Sequence, residues 1–259
     1  MDNSTREDEI LKLLEETPKH YLSVAELADH FAISPSTIRR DLVRLDALHK
    51  VAKTHGGAAL FNYLGEFRFE KTDRNYRERE QTEQVDKKII ATYAASLVKQ
   101  GSCVYLDAST TVGYLVPYLP VAKNILYVTN SPDLAARLTD TGHIVLVTGG
   151  SLKTATSAFV GEYALSFLEH FNFDLGFFGC NGIHPTAGFS TPDPVEAEIK
   201  RKAMSRTYQS YVLADHTKFD LISSVTFAGF SGVTLITDSV PEKYRPLLKF
   251  VDLSTKTRD

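Results

Sequence analysis

The chain has 259 residues. Its 43% hydrophobic and 24% charged residues are ordinary for a folded protein and exclude a chain that is disordered throughout. At ~100–200 residues per domain, this length predicts one large or two modest domains. Cys103 and Cys180 are the two cysteines and lie far from any histidine cluster, so we expect no disulfide framework, no bound metal and no cofactor. The acidic N-terminus and the lack of a run of ~20 apolar residues predict a cytoplasmic protein without a membrane partner.

The charges are distributed unevenly along the chain. The net charge of −3 argues against a general nucleic-acid binder. However, residues 1–33 carry 3 basic and 8 acidic side chains, whereas residues 34–60 carry 5 basic and 2 acidic ones. A small basic face beside an acidic one favours steering toward DNA. A random fluctuation over so short a segment explains the same numbers, so charge alone leaves the question open.

Three helices are predicted in the first fifty residues. Residues 5–16 carry a one-sided apolar stripe, which is typical of a helix that packs on a core. Ser23 and Glu26 form a capping box that opens a second helix of about nine residues. Ser34 suits an N-cap and Pro35 suits the first helical position, so a third helix is predicted to run to about residue 48.

The third helix has two distinct faces when its residues are placed at 100° intervals. Ile38, Leu42 and Leu45 fall in one narrow arc and are expected to face the core. Hydroxyl and guanidinium groups fall elsewhere, where they offer donors to phosphate oxygens and to guanine edges. We expect Arg40 and Arg44 to face the major groove and Arg39 to meet flanking phosphates. An amphipathic helix with a solvated polar face is the alternative. The predicted DNA-binding side chains of this helix and its cap are Ser34, Ser36, Thr37, Arg39, Arg40 and Arg44.

A hairpin is predicted after the third helix. Two short runs flank Gly56-Gly57, and glycines permit the positive φ angles that a hairpin turn requires. Three helices followed by a hairpin make a winged helix-turn-helix. Lys53 and His55 would lie on the wing and complete the predicted DNA-binding set.

These motifs resemble the N-terminal signature of the DeoR family of transcriptional regulators. The sequence Ser-Thr-Ile-Arg-Arg-Asp-Leu at 36–42 matches the family pattern in the recognition helix, and Thr-His-Gly-Gly-Ala at 54–58 matches the wing. The resemblance implies that residues 1–60 form a domain that binds operator DNA.

A charged connector and an α/β pattern follow. Residues 62–90 carry 7 basic and 7 acidic side chains, and we interpret residues 61–80 as a solvated linker before a domain at 81–259. Val85, Ile89, Tyr93 and Leu97 are spaced by four and predict a helix that ends at Gly101. Near-continuous apolar runs separated by helical segments predict a parallel sheet that is covered on both faces. The predicted strands are 102–107, 125–129, 144–148, 173–179, 210–214 and 233–236.

Polar residues cluster where these strands end, which is where ligands bind in open α/β sheets. Hydroxyls and backbone N–H groups at 109–111 predict an anion site, with simple N-capping as the alternative. Asn130 either holds a ligand hydroxyl or caps the next helix. Gly149 and Gly150 permit close backbone approach, and Lys153 either meets a phosphate or is an exposed lysine after a turn. The predicted ligand-binding residues are Asp107, Ser109, Thr110, Thr111, Asn130, Gly149, Gly150, Lys153, Asn181, Glu196, Lys200, Asp215 and Lys218.

Glu196 and Lys200 lie one helical turn apart and have two interpretations. In the structural one, Asp193 and Glu196 cap a helix and Glu196 pairs with Lys200, which stabilises by only tenths of a kcal/mol. In the functional one, both side chains meet a sugar. Lys218 after the strand at 210–214 is either an ordinary surface lysine or a partner for the phosphate.

The strand-end segments at 107–111, 129–131, 148–150 and 215–219 resemble successive motifs of the DeoR sensor domain. That domain is similar in fold to ribose-5-phosphate isomerase and glucosamine-6-phosphate deaminase, so the resemblance implies a phosphorylated-sugar sensor. The chain departs from the family at Ser109, where Gly is frequent, and at Thr217, where Ser is frequent. Asn181 lies where the related isomerases have an acidic motif, and an amide is no general base.

The sequence therefore predicts an α/β protein in which an N-terminal winged helix-turn-helix precedes a Rossmann-like, mostly parallel sensor domain. We expect a repressor of a sugar operon that is modulated by a phosphorylated sugar, has no catalytic residues and forms a homodimer or higher homo-oligomer. A sugar-phosphate isomerase or deaminase with an accessory DNA-binding module is the first alternative. Its acid–base candidates would be Asp107, Glu196, Lys200 and Asp215. A winged helix used for protein contacts is the second alternative.

Overall fold

The computed structural model describes residues 3–17, 21–48, 50–53, 56–60, 68–70, 80–122 and 124–254. The N-terminal unit has three helices and a three-stranded antiparallel sheet of order β1-β3-β2. Its elements are α1 (Asn3–Glu16), β1 (Tyr21–Ser23), α2 (Val24–Phe31), α3 (Pro35–Ala47), β2 (Val51–Lys53) and β3 (Gly57–Leu60). This is the predicted winged helix-turn-helix, to which the structure adds β1.

The local signals read from the sequence account for these elements. Ser23 and Glu26 form the expected capping box at the start of α2, with N···O distances of 2.7 and 3.1 Å. Ala32 ends α2 in the left-handed conformation at φ 53° and makes the tight turn toward α3. Apolar side chains from all three helices and the sheet then form one core, which includes Ile10, Leu14, Leu27, Ile38, Leu42, Leu45 and Val51.

The C-terminal unit is built on a seven-stranded sheet in which every neighbouring pair is parallel. The sheet order is β17-β16-β13-β10-β5-β6-β7. The strands are β5 (Cys103–Leu106), β6 (Leu126–Thr129), β7 (Ile144–Val147), β10 (Phe173–Gly179), β13 (Thr207–Leu213), β16 (Val233–Thr237) and β17 (Lys249–Asp252). The six predicted strands are all present, and β17 is an addition to them.

Helices cover the sheet and two apolar clusters fill the space beneath them. These helices are α4 (Gln84–Ala95), α5 (Thr110–Gly113), α6 (Pro132–Asp140), α7 (Glu162–Glu169) and α8 (Pro194–Ser205). Smaller elements complete the unit: a hairpin of β8 (Ser151–Lys153) and β9 (Ala158–Val160), and a sheet of β11 (Gly182–His184), β12 (Gly188–Thr191) and β15 (Val225–Ala228). Because all seven main strands are parallel, their carboxyl ends lie along one edge.

Two sequence-based expectations need correction here. The stripe of Val85, Ile89, Tyr93 and Leu97 is only the margin of the buried face: Ile89, Tyr93 and Leu97 pack partly buried against the core, but Val85 is 69% exposed, and the helix α4 ends at Ala95 rather than at Gly101. The buried face instead carries Ile90, Ala91, Ala94 and Ala95, because small alanines let the helix backbone approach the sheet closely.

The predicted linker is not a fully solvated connector. Residues 68–70 form β4 (Arg68–Glu70), which pairs in parallel with β14 (Leu221–Ser223). The rest of the connector, residues 61–67 and 71–79, lies outside the described residues. A charge-rich composition did not exclude this strand, since backbone pairing needs no apolar side chains.

Candidate nucleic-acid interface and strand-end site

The recognition helix α3 begins with a cluster of hydroxyl groups. Ser34 caps the helix, and its Oγ accepts from the Thr37 backbone N–H at 3.3 Å. The same Oγ lies 2.8 Å from Ser36 Oγ and 2.9 Å from Thr37 Oγ1. These hydroxyls are at or near the surface, at a helix end where backbone N–H groups favour phosphate.

The three arginines of α3 have different surroundings. Arg39 and Arg40 are exposed, as predicted for DNA contacts. Arg44 instead donates from Nε to Glu7 Oε1 at 2.6 Å and from Nη2 to Asp41 Oδ1. Its guanidinium is therefore already engaged within the domain, although the side chain remains 44% exposed.

A buried ion pair fixes α1 against α3, and the sequence analysis missed it. Arg6 donates from Nε to Asp41 Oδ2 at 2.6 Å and from Nη2 to Oδ1 at 3.1 Å. The Asp41 side chain is 1% exposed. The signal was present, since Asp41 lies at the margin of the apolar arc of α3 and not on its polar face.

The wing is the antiparallel pair of β2 and β3. Lys53 is the last residue of β2. The other predicted wing residue, His55, lies outside the described residues.

At the carboxyl edge of the large sheet, one buried lysine joins three elements. Lys200 on α8 donates from Nζ to Asp107 Oδ2 and to the Gly179 carbonyl oxygen, the latter at 3.1 Å. The Gly179 backbone N–H donates to Asp107 Oδ2 at 3.0 Å. The Ser109 side chain packs directly against Gly179, so that a Cβ added to this glycine would overlap it. The ends of β5 and β10 are thus fixed to each other through α8.

Both polar atoms of the Asn130 side chain form hydrogen bonds within the protein. Its Oδ1 accepts from Tyr105 Oη at 3.1 Å and from the Ala108 N–H at 3.0 Å. Its Nδ2 donates to the Phe159 carbonyl oxygen at 3.3 Å. The expectation that Asn130 caps the next helix is wrong, because the Ser131 side chain caps α6.

A second cluster of polar side chains lies at the start of α8. Lys153 Nζ is 2.8 Å from Glu196 Oε1 and 2.8 Å from Asp193 Oδ2. Thr156 Oγ1 donates to Glu196 Oε1 at 2.6 Å, and Asp193 caps the helix. Asp193 therefore caps as expected, while Glu196 and Lys200 turn to separate partners, so the predicted pairing of these two residues is wrong.

Several other predicted ligand residues serve the local fold. Thr110 and Thr111 are buried within α5, which has only four residues. Gly149 and Gly150 have φ angles of 67° and 111°. A Cβ on Gly150 would lie 2.6 Å from the Val160 carbonyl oxygen, so this glycine is required by the hairpin of β8 and β9.

Beyond β10 and β13, charged groups surround a thiol. Burial raises the pKa of Cys180 to about 12, and Lys218 and Lys200 oppose that rise. The Lys218 side chain is half-buried and its ammonium group has no ion pair or hydrogen bond with another described residue, while its backbone N–H donates to the Asp215 carbonyl oxygen at 3.1 Å. Asp215 is 1% exposed; its Oδ1 accepts from Thr217, whereas its Oδ2 is buried without a hydrogen-bond partner among the described residues. Asn181 Oδ1 accepts from Thr191 Oγ1 at 3.3 Å.

His216 is a further residue that the sequence analysis did not single out. Its backbone N–H donates to Asp238 Oδ1, and its Nδ1 lies 2.7 Å from Asp238 Oδ2. Burial opposes a charge on the imidazole, but Asp238, Asp215 and Asp86 outweigh burial and raise the pKa of His216 above its ordinary value. Only the position after a strand could have indicated Asp238.

A winged helix-turn-helix joined to a parallel α/β domain with a polar strand-end site defines a class of DNA-binding regulators that carry a sensor domain. Residues 6–63 match the DeoR-like helix-turn-helix domain, and residues 82–239 match the DeoR C terminal sensor domain. The chain therefore belongs to the DeoR family of transcriptional regulators. Within the described residues, no helix has the length and apolarity that crossing a membrane requires.

Individual relatives extend along nearly the whole chain. The uncharacterized HTH-type transcriptional regulator FruR of Bacillus subtilis is 37% identical over 89% of this chain and 90% of its own length. The glycerol-3-phosphate regulon repressor of Escherichia coli is 29% identical over 93% of both chains. A ribose 5-phosphate isomerase A structure from Methanocaldococcus jannaschii is 14% identical over 51% of this chain and 53% of its own, with a TM-score of 0.37, which is too low to carry an argument.

Proposed function

We propose that this protein represses an operon for the use of a sugar or sugar phosphate and that a phosphorylated sugar modulates its operator binding. Family membership supports the DNA-binding role. The Escherichia coli relative is named as a repressor of a regulon for a phosphorylated three-carbon polyol, which supports an effector of that chemical class. A cytoplasmic location goes with operator DNA as the partner.

The observation that carries the effector proposal is the convergence of polar groups from four strand ends at one edge of the parallel sheet. Asp107, Asn130, Cys180 and Asp215 follow β5, β6, β10 and β13, and Lys200 joins the first of them to Gly179. Ligands in such sheets bind outside the carboxyl ends of the strands. A sugar phosphate offers hydroxyls to hydrogen-bond acceptors at this edge and a dianion to nearby cations.

Lys218 is the cation that we assign to the phosphate. Its ammonium group has no partner among the described residues, whereas Lys153 already pairs with Asp193 and Glu196. Ser109 adds a hydroxyl at the start of α5 that caps no backbone N–H. The remaining predicted ligand residues then act as the frame of the site. Asn181 and Asp215, whose Oδ2 has no hydrogen-bond partner among the described residues, are the acceptors that we assign to sugar hydroxyls.

The proposed DNA-contacting side chains differ in how exposed they are and in whether they already have partners within the domain. Arg40 is the main candidate for base recognition, and Arg39 and the hydroxyls at the start of α3 are candidates for phosphate contacts. We assign to Arg44 mainly a structural role that links α1 to α3, since its guanidinium pairs with Glu7 and Asp41. Lys53 and His55 stay proposed wing contacts.

The enzymatic alternative is less well supported. The rival mechanism needs a free acid and base, but Asp107 is held by Lys200, and Glu196 is held by Lys153 and Thr156. Asn181 provides an amide where the isomerases have an acidic group. An isomerisation and deamination assay over a panel of sugar phosphates separates the two functions, and turnover abolished by Glu196→Ala would establish the enzyme.

A homo-oligomer completes the proposal. One short recognition helix contacts few base pairs, so two half-sites raise affinity and specificity together. The edge strand β7 exposes Ile144 (47%) and Leu146 (41%) on one face, which suits an apolar contact between copies. Sedimentation of a monomer that still binds its operator tightly would contradict this part.

The decisive experiment screens phosphorylated sugars for thermal stabilisation of the full chain and then for operator release. The effector has to bind the DNA-free form more tightly, and a tenfold shift requires about 1.4 kcal/mol of differential affinity. Lys218→Ala and Ser109→Ala should weaken the response and leave operator binding intact, whereas Lys99→Ala, at an exposed site away from the strand ends, should behave as wild type. A wild-type response in both site variants would put the site elsewhere.

A further inference from the structure

Three side chains that are far apart in sequence meet beside the strand-end site. Asp86 lies in the first turn of α4, His216 follows β13 and Asp238 follows β16. His216 Nδ1 is 2.7 Å from Asp238 Oδ2 and 3.8 Å from Asp86 Oδ2. Over the part of the chain that the structure describes, this is the one group of three such residues whose ligand atoms all lie within 4.8 Å of one another.

The distances between the three ligand atoms are close to those found around a bound metal ion. An ion at ~2.0–2.2 Å from each nitrogen or oxygen ligand keeps those atoms roughly 3–3.5 Å apart. The contact of His216 with Asp238 is slightly shorter than this range and that with Asp86 slightly longer. The imidazole is 49% exposed, so an ion has an entry path and room for water.

The charge around this group is unbalanced. Asp86 and Asp238 face one imidazole, and Asp215, the residue before His216, adds a third carboxylate. No lysine or arginine among the described residues pairs with any of these three acids. The buried Asp215 Oδ2, which has no hydrogen-bond partner in the described part of the chain, adds negative charge beside this group but is not one of its ligands.

We propose that Asp86, His216 and Asp238 bind one divalent first-row transition-metal ion. Two carboxylates and one imidazole are ligands that Zn²⁺ and Mn²⁺ both accept, and the open positions would hold water. The ion would fix the first turn of α4, where the sensor domain begins, to the segment that carries Asp215 and Lys218. The sequence-based expectation of no metal was drawn from cysteine and histidine spacing, which does not detect ligands from three separate elements.

The test uses the full chain after EDTA treatment and removal of the chelator, titrated with Zn²⁺ and, separately, Mn²⁺ by isothermal titration calorimetry. We expect binding of one ion per chain and an increase in the melting temperature. Asp86→Asn and His216→Ala should each weaken binding at least tenfold, whereas His170→Ala, which alters an exposed histidine elsewhere, should bind as wild type. Circular dichroism shows whether each variant is folded.

One further measurement makes the outcome independent of calorimetry. Co²⁺ should give visible d–d absorption bands in the wild type that His216→Ala abolishes, and neither sugar nor operator is needed for this readout. If the wild type binds no ion stoichiometrically, or if folded Asp86→Asn and His216→Ala bind it as tightly as wild type, the three residues are an ion-pair cluster only and the proposal is overturned.

Discussion

Lys200 Nζ donates to Asp107 Oδ2, although the two residues are 93 positions apart and lie on different elements. Both side chains are buried, and the Gly179 carbonyl oxygen and N–H occupy further positions around them. A buried pair of this kind keeps its charges only while each has its partner, since an isolated buried charge is costly. The pair therefore holds the ends of β5 and β10 together at the edge where the candidate site lies.

The close approach of Gly179 to Ser109 gives the first prediction. Gly179→Ala should lower the free energy of unfolding by about 1–3 kcal/mol, because the new Cβ overlaps the Ser109 side chain. Adding Ser109→Gly should restore most of this loss, which urea unfolding measures. Gly229→Ala is the matched control, since nothing lies within 4 Å of its added Cβ. Equal loss in the single and double variants would contradict the assigned contact.

The second prediction concerns Arg40. Arg40→Ala should lose about 1–3 kcal/mol of discrimination between operator and random DNA at fixed salt, because a bidentate contact to a base is lost. Arg39→Ala should weaken binding to both DNAs alike. Lys12→Ala, an exposed basic residue on α1, serves as control. Unchanged operator preference in Arg40→Ala would refute the base contact.

The buried pair of Arg6 and Asp41 gives the third prediction. Asp41→Ala should destabilise the DNA-binding unit by about 3–5 kcal/mol, because it leaves the Arg6 guanidinium buried without its carboxylate. Replacing both residues, as Arg6→Met with Asp41→Leu, should recover much of this stability. Thermal unfolding followed by circular dichroism measures both effects. An Asp41→Ala variant as stable as wild type would contradict a stabilising role for the pair.

The fourth prediction is a pH dependence. Burial and the nearby Lys243 lower the pKa of His184 below its ordinary value of about 6.5, while Asp220 opposes them. A lowered native pKa means that the folded protein disfavours the charged imidazole. The associated stability is complete above about pH 6.5 and is lost as the pH falls through the native pKa. His184→Gln should therefore lose less unfolding free energy than wild type between pH 7.5 and 5; parallel curves would exclude the effect.

The sequence was sufficient for the three helices of the DNA-binding unit, for six of the seven strands of the large sheet and for the edge where the candidate site lies. Apolar runs such as 173–179 are typical of strands buried on both faces, and parallel strands bring their carboxyl ends to one edge. The cap residues of α2 and α3 were equally explicit, because Ser23 and Ser34 act on backbone groups two or three residues away.

Partners across the fold could not be predicted in this way. Glu196 and Lys200 are spaced for a pair with each other, but their helix lies between two elements that offer closer partners, Lys153 and Asp107. The same applies to Arg44, whose position on the helical wheel is shared by DNA and by Glu7 of α1. The partner of each charged side chain depends on its neighbours in three dimensions. The spacing of residues along the chain does not reveal these neighbours.

The pairing of β4 with β14 limits the reach of the DNA-binding unit. The eight peptide links from Leu60 to Arg68 span at most ~29 Å, whereas an unanchored connector from Leu60 to Gln84 would reach ~86 Å. Operator half-sites are spaced by ~34–36 Å or a multiple of it. In a homodimer of the kind proposed above, each DNA-binding unit therefore stays within ~29 Å of the β4 strand of its own sensor domain, so the place where the two sensor domains meet limits which operator spacings the dimer can reach.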